Sequence, residues 1–152
     1  MTDEAQPRDL EENLLVRGLA DLDLLAARVA GATVPGDLLI LTGPLGAGKT
    51  TFVQRLAAAL GSDAPVNSPT YTLVHEYPSP GGTLVHVDLY RLGADAPLEA
   101  LGLEDYLDRA RLVAVEWGGP LLELYPAAHH LALDPVPGAK STRTVTWRRP
   151  RQ

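Results

Sequence analysis

Leu38 to Leu60 reads LLILTGPLGAGKTTFVQRLAAAL, and this stretch decides the fold. Leu38 to Leu41 is a short apolar run bounded by Gly36 and Gly43, as expected of a strand covered on both faces of a parallel sheet. Phe52, Val53, Leu56, Ala57 and Leu60 recur at helical spacing, and Gly61 punctuates the end. Between strand and helix, Gly43, Gly48, Lys49 and Thr50 fit G-x-x-x-x-G-K-[ST]. Glycines in such a turn let successive backbone N–H groups point into one concavity and bind phosphate oxygens. The helix adds its positive N-terminal end. Lysine reaches the β- and γ-phosphates, and the Thr50 hydroxyl is placed to ligate Mg²⁺. The chain has two lysines against eleven arginines, so a lysine at this position is informative.

Working outward, 152 residues and 45% hydrophobic content predict one domain, 1–152, with a real core. The net charge of −6 argues against gripping nucleic acid through bulk charge; no direct DNA binding is expected. The absence of cysteine excludes disulfides, thiol catalysis and zinc–thiolate sites. The acidic first dozen residues are unlike a signal peptide, and no apolar run reaches membrane-spanning length, so a cytoplasmic protein is expected.

Residues 1–11 and 148–152 read as polar tails. Leu14 to Leu19 reads as a short edge strand. Asp21 or Asp23 is placed to cap a helix carrying Leu22, Leu25, Ala26 and Val29 and ending at Gly31. After the glycine-rich loop and its helix, Asn67-Ser68-Pro69-Thr70 is dense in turn formers. Tyr71 to Tyr77 and Thr83 to Tyr90 then form a hairpin around Pro78 to Gly82. Leu92 to Arg111 reads as two short helices broken at Gly102, and Leu112 to Trp117 as a second apolar strand. A short helix over Leu121 to Tyr125 precedes a terminal hairpin, His130 to Asp134 with Arg143 to Trp147. The expected fold is α/β: a three-layer domain like the P-loop NTPases, its central sheet mixed but mostly parallel, with an antiparallel hairpin after the P-loop helix.

A nucleotide-hydrolysing loop of this kind needs a carboxylate near the metal and a group that positions water. Ligands of open α/β sheets sit at the carboxyl ends of strands, where Asp88 and Glu116 both fall. Spacing alone does not decide which of them meets Mg²⁺. Ser68, Thr70 and Thr72 lie where a loop orders around a γ-phosphate or forms ordinary turns. Arg91 fits phosphate neutralisation or a surface ion pair. His75, His86, His129 and His130 lack metal-ligand spacing and read as structural or surface residues.

The ordered stretches GPLGAGKTT, NSPTYTLVHEY, HVDLYRL and VEWGG resemble the TsaE (YjeE) family of bacterial P-loop ATPases, which take part in making threonylcarbamoyladenosine in tRNA. The resemblance runs from about Asp21 to Trp147. It implies that Gly43 and Gly46, Ala47, Gly48, Lys49, Thr50 and Thr51 hold ATP or ADP, and that Thr50 and Glu116 ligate Mg²⁺. It implies that Asp88, close to the metal, is needed for hydrolysis and that Thr70 belongs to a switch-like loop. The base side of the nucleotide would meet Ala20 and Asp21, and Lys140 and Arg143. The implied partners are TsaB- and TsaD-like proteins, the larger of which transfers the threonylcarbamoyl group, so that tRNA is reached indirectly.

Three rivals remain. A small-molecule kinase needs an arginine-bearing lid, for which Arg109 and Arg111 are the candidates. A GTPase needs [NT]-K-x-D, which Lys49 and Lys140 do not supply. An assembly switch would bind nucleotide with negligible turnover.

Overall fold

The computed structural model describes residues 10–44, 46–63, 74–89 and 102–149. The elements run β1 Leu10–Arg17, α1 Leu19–Ala32, β2 Asp37–Thr42, α2 Lys49–Ala59, β3 Val74–Tyr77, β4 Leu84–Asp88, α3 Leu103–Arg109, β5 Leu112–Glu116, α4 Leu121–Leu124, β6 His129–Val136 and β7 Ala139–Arg149. Seven strands form one sheet in the order β1-β7-β6-β2-β5-β4-β3.

β2 lies at the centre between β5 and β6, parallel to both, and Leu38 to Leu41 are buried. Alternation sends Leu39 and Leu41 to one face, against Phe52, Val53 and Leu56 of α2 and Leu25 and Val29 of α1. Leu38 and Ile40 go to the other, against Leu103 of α3 and Leu121 of α4. Two apolar layers on one sheet give the three-layer arrangement. Helix α2 ends as Gly61 predicts: at φ 89° its N–H meets Ala58 O at 3.0 Å, and Ser62 N–H meets Ala57 O at 2.9 Å.

The expectation of a mostly parallel sheet is corrected. The pairs β6–β2, β2–β5 and β5–β4 are parallel, whereas β1–β7, β7–β6 and β4–β3 are antiparallel. The difference comes from β1, whose full length pairs with the last eight residues of β7. Leu10 and Glu11, and Arg148 and Arg149, therefore belong to strands rather than tails. Their charges match across the pair: Arg149 meets Glu12 at 3.1 Å, and Arg28 of α1 meets the same carboxylate at 2.6 Å. Hydrogen bonding from Arg28 holds the Glu12 carboxyl below its ordinary pKa.

Helix α1 also starts earlier than its acids predict. Gly18 is the N-cap, at φ 84°, where its N–H bonds Ser141 O at 2.8 Å and the chain leaves β1 sharply. Asp21 instead reaches back to the Arg17 N–H at 2.9 Å, and Asp23 pairs with Arg55 of α2. The helix continues through Gly31 to Ala32, where Arg111 donates to the carbonyls of Ala30 and Thr33 at 2.9 and 3.0 Å. The expected helix over residues 92–101 lies outside the described residues.

One buried group makes stability depend on pH. His129 accepts Trp147 Nε1–H on Nδ1 at 3.3 Å, while Arg28 and Arg149 lie over the Trp147 ring at 5.1 and 4.3 Å. Burial lowers the His129 pKa from 6.5, opposed by nearby Asp37; His130 is lowered by burial and by Arg148. The unfolded chain thus binds protons that the folded chain refuses, so stability is full above about pH 6.5 and declines on acidification below it. The urea midpoint is expected to fall between pH 7.5 and 5.5, and to fall less in His129→Asn, which keeps an acceptor for Trp147 but does not titrate. Equal declines in the two proteins would remove His129 from the explanation.

Candidate functional site

The site is built at the carboxyl edge of the central strands. β2 runs into Gly43, whose φ of 139° and close approach to β6 demand glycine: a Cβ there would lie 2.2 Å from Leu133 O. Gly43→Ala is expected to destabilise the protein by about 2 kcal/mol or more, through overpacking and backbone strain. Chemical denaturation checks this, and a loss under about 0.5 kcal/mol contradicts it. Gly48, at φ 101°, is the N-cap of α2, so Lys49 and Thr50 open the helix. Leu45 lies outside the described residues.

Lys49 is 4% exposed. Its Nζ donates to Gly43 O at 2.6 Å and Pro44 O at 3.0 Å, and lies 3.9 Å from the centre of the Trp117 ring. Burial lowers the pKa of the amine, while the Glu116 and Asp88 carboxylates pull it back up. Both acids thus act on this lysine. They are register partners at the ends of the parallel strands β4 and β5.

The two differ in burial. Glu116 is 3% exposed and accepts the Thr50 hydroxyl on both oxygens, at 3.1 and 3.0 Å. His86 Nε2 lies 2.5 Å from Glu116 Oε2. Asp88 is half-buried. His86, which the sequence reading set aside, is therefore part of the site. Its signal in the sequence is a polar residue on a strand whose neighbours Leu84, Val85 and Val87 are all core.

Trp117 follows Glu116 at φ 61°, the one non-glycine with positive φ among the described residues. Its N–H bonds Leu41 O at 3.1 Å, and Gly118 packs where a Cβ would lie 2.8 Å from Ile40. The turn thereby places the Trp117 ring against Lys49.

Arg143 of β7 commits its guanidinium to main-chain carbonyls: Nε to Ala47 O at 2.8 Å, and the two terminal nitrogens to Gly46 O at 3.3 Å and Lys140 O at 2.8 Å. It ties the glycine-rich loop to the terminal hairpin. Beside it lies a cavity of about 180 Å³, walled by Gly18, Leu19, Leu22, Ala47, Thr51 and Arg143. Of the expected base-side residues, Arg143 lines this cavity, and Ala20, Asp21 and Lys140 are not among its lining residues. Thr70 and Arg91 lie outside the described residues.

A larger cavity of about 460 Å³ lies between α3 and α4, walled by Leu103, Leu121 and Tyr125, and none of the described loop residues or strand-end acids borders it. The lid arginines of the kinase reading are engaged elsewhere, Arg111 on the end of α1 and Arg109 with Glu76 at 3.1 Å. No group of three or more His, Asp or Glu side chains suited to a metal occurs among the described residues. An oxygen set of one hydroxyl and one or two carboxylates fits Mg²⁺, which keeps waters and takes further ligands from phosphate.

The arrangement is that of a three-layer α/β protein with its candidate site at the carboxyl edge of a mixed sheet. Comparison with known proteins narrows this class. A family model, threonylcarbamoyl adenosine biosynthesis protein TsaE, matches residues 16–145, and the chain belongs to that family. A tRNA threonylcarbamoyladenosine biosynthesis protein TsaE of Bacillus subtilis is 41% identical over 102 residues, covering 67% of this chain and 63% of its own length. Its namesake in Mycobacterium tuberculosis is 38% identical over 133 residues, covering 81% of this chain and 78% of its own. The crystal structure of Bacillus subtilis YdiB matches with a TM-score of 0.72 at 26% identity, covering 95% of this chain and 88% of that one. No described helix is long and apolar enough to cross a membrane.

Proposed function

We propose that this chain is a cytoplasmic Mg²⁺-dependent ATPase required for threonylcarbamoyladenosine modification of tRNA, working by ATP binding and hydrolysis on a partner complex of TsaB- and TsaD-like proteins. The observation that carries the proposal is the convergence of Lys49, Thr50 and Glu116 at the mouth of the glycine-rich loop, with Thr50 Oγ1 3.0 Å from a buried carboxylate. Gly46, Ala47, Gly48 and Thr51 supply main chain and helix start to the phosphates. Lys49 exchanges its loop carbonyls for β- and γ-phosphate oxygens. Thr50 and Glu116 hold Mg²⁺, which neutralises phosphate charge when bound. Asp88, beside Glu116 and half-buried, would orient the attacking water. Thr70 belongs to a loop that senses the γ-phosphate. The apolar cavity beside Arg143 takes the base side, adenine rather than guanine because [NT]-K-x-D is missing.

The bonding of Arg109 and Arg111 away from the site weighs against the kinase reading. The assembly switch is separated by measurement. Purified protein is expected to release phosphate from ATP slowly alone and faster with its two partner proteins, without a small-molecule acceptor. Phosphoryl transfer that needs a small hydroxylated acceptor would favour a kinase. ATP-dependent assembly with no phosphate release, unchanged by Asp88→Ala, would favour the switch.

A further inference from the structure

We propose that His86 is a positioning residue for Glu116, holding one oxygen of the carboxylate so that the group stays aimed at the metal side. The inference rests on the reading above, in which Glu116 stands on the metal side. His86 is fully buried on β4. Its register partner on β5 is Ala114, a small residue, and Glu116 follows two positions later on the same face. The ring is thus placed to meet the Glu116 side chain diagonally across the strand pair, with Nε2 2.5 Å from Oε2.

A core filler has no reason to be an imidazole here. Leu84, Val85, Val87 and Leu89 around it are apolar and buried. Burying a polar ring is unfavourable unless it is hydrogen-bonded, and His86 Nδ1 has no partner. Among the described residues the ring's one hydrogen bond is at Nε2, which is placed to donate an N–H to the carboxylate. The Thr50 hydroxyl lies 3.1 and 3.0 Å from the two Glu116 oxygens. The Thr50 hydroxyl carries a single proton, so with its oxygen on a cation it still fixes at most one oxygen of Glu116 at a time. His86 is on a different strand, does not depend on the ligand, and keeps one oxygen of Glu116 in place. Partners of this kind, one step behind a metal ligand, typically carry 10–100-fold in metal affinity.

The test is the gain in ADP affinity on adding Mg²⁺, measured by calorimetry in wild type, His86→Leu and His86→Gln. Leucine is expected to cut the Mg²⁺-dependent gain, read as the ratio of ADP affinities with and without Mg²⁺ in the same variant, by about tenfold or more. Glutamine, whose amide N–H reaches the Nε2 position, is expected to restore most of it. If the leucine variant does not fold, His86→Asn replaces it, since its shorter amide stops short of Glu116 and loses the gain that glutamine keeps. An undiminished gain in the leucine or asparagine variant overturns the inference, and so does an equal loss in the glutamine variant, which would mark a shape requirement only. A wild type whose ADP affinity ignores Mg²⁺ overturns the metal-side reading of Glu116 and takes this inference with it.

Discussion

Lys49→Ala is expected to lower ATP hydrolysis by about 100-fold or more while shifting the melting temperature by no more than about 4 °C. The two effects separate because of where the amine sits. It is buried and already disfavoured as a cation, its pKa lowered by burial. Its hydrogen bonds go to two loop carbonyls, Gly43 O and Pro44 O, which solvent can satisfy after truncation. The folded protein alone therefore loses little. With nucleotide present the balance reverses, because charge-assisted bonds to phosphate are strong and develop where negative charge accumulates. Arg143, whose guanidinium bonds the loop, is committed to main-chain carbonyls and does not replace the lysine. Phosphate release and a thermal melt on the same preparation check both halves. Hydrolysis within threefold of wild type, or a collapsed melting temperature, contradicts this account of Lys49.

Glu116→Gln is expected to reduce hydrolysis by about 100- to 1,000-fold with stability kept. Glutamine preserves shape and an acceptor for Thr50 and His86, but removes the charge proposed to face Mg²⁺. Glu116→Ala behaves differently. It leaves His86 buried with neither nitrogen bonded, at a further cost of about 1–3 kcal/mol in stability. The pair thus distinguishes loss of a metal-side charge from loss of a structural acceptor. Denaturation midpoints and phosphate release measured together give the comparison. A glutamine variant that hydrolyses ATP within threefold of wild type would remove Glu116 from the proposed metal site.

What was legible in the sequence was what is local. The run Leu38 to Leu41, the glycines and the start of α2 lie within one 23-residue stretch, Leu38 to Leu60, where strand, turn and helix periodicities each have a direct physical meaning. The hairpin around Pro78 to Gly82 is local too, and its antiparallel pairing of β3 and β4 follows from a short turn. The two chain ends were misread because their cause is distant. Glu11 and Glu12 look like a solvated acidic tail until Arg148 and Arg149 are laid alongside them, and that pairing is made between opposite ends of the chain. The balance of parallel and antiparallel strands went wrong for the same reason.

The same distinction runs through the site. Asp88 and Glu116 are equivalent by position at strand ends. What the structure adds is Thr50, brought to Glu116 across 66 residues of sequence. His86 was set aside because no metal-ligand spacing surrounds it, and its partner stands 30 residues away on the next strand. Asp21 was misread as a helix cap, because Gly18 takes the cap where β1 ends.

The most direct test of the central claim is made in cells. The protein is depleted, wild type or Lys49→Ala is supplied in its place, and threonylcarbamoyladenosine in tRNA is measured by mass spectrometry. Depletion is expected to lower the modification, wild type to restore it, and Lys49→Ala to fail although it folds and accumulates. Modification that persists through depletion would contradict the role in tRNA, and full rescue by Lys49→Ala would contradict the need for nucleotide.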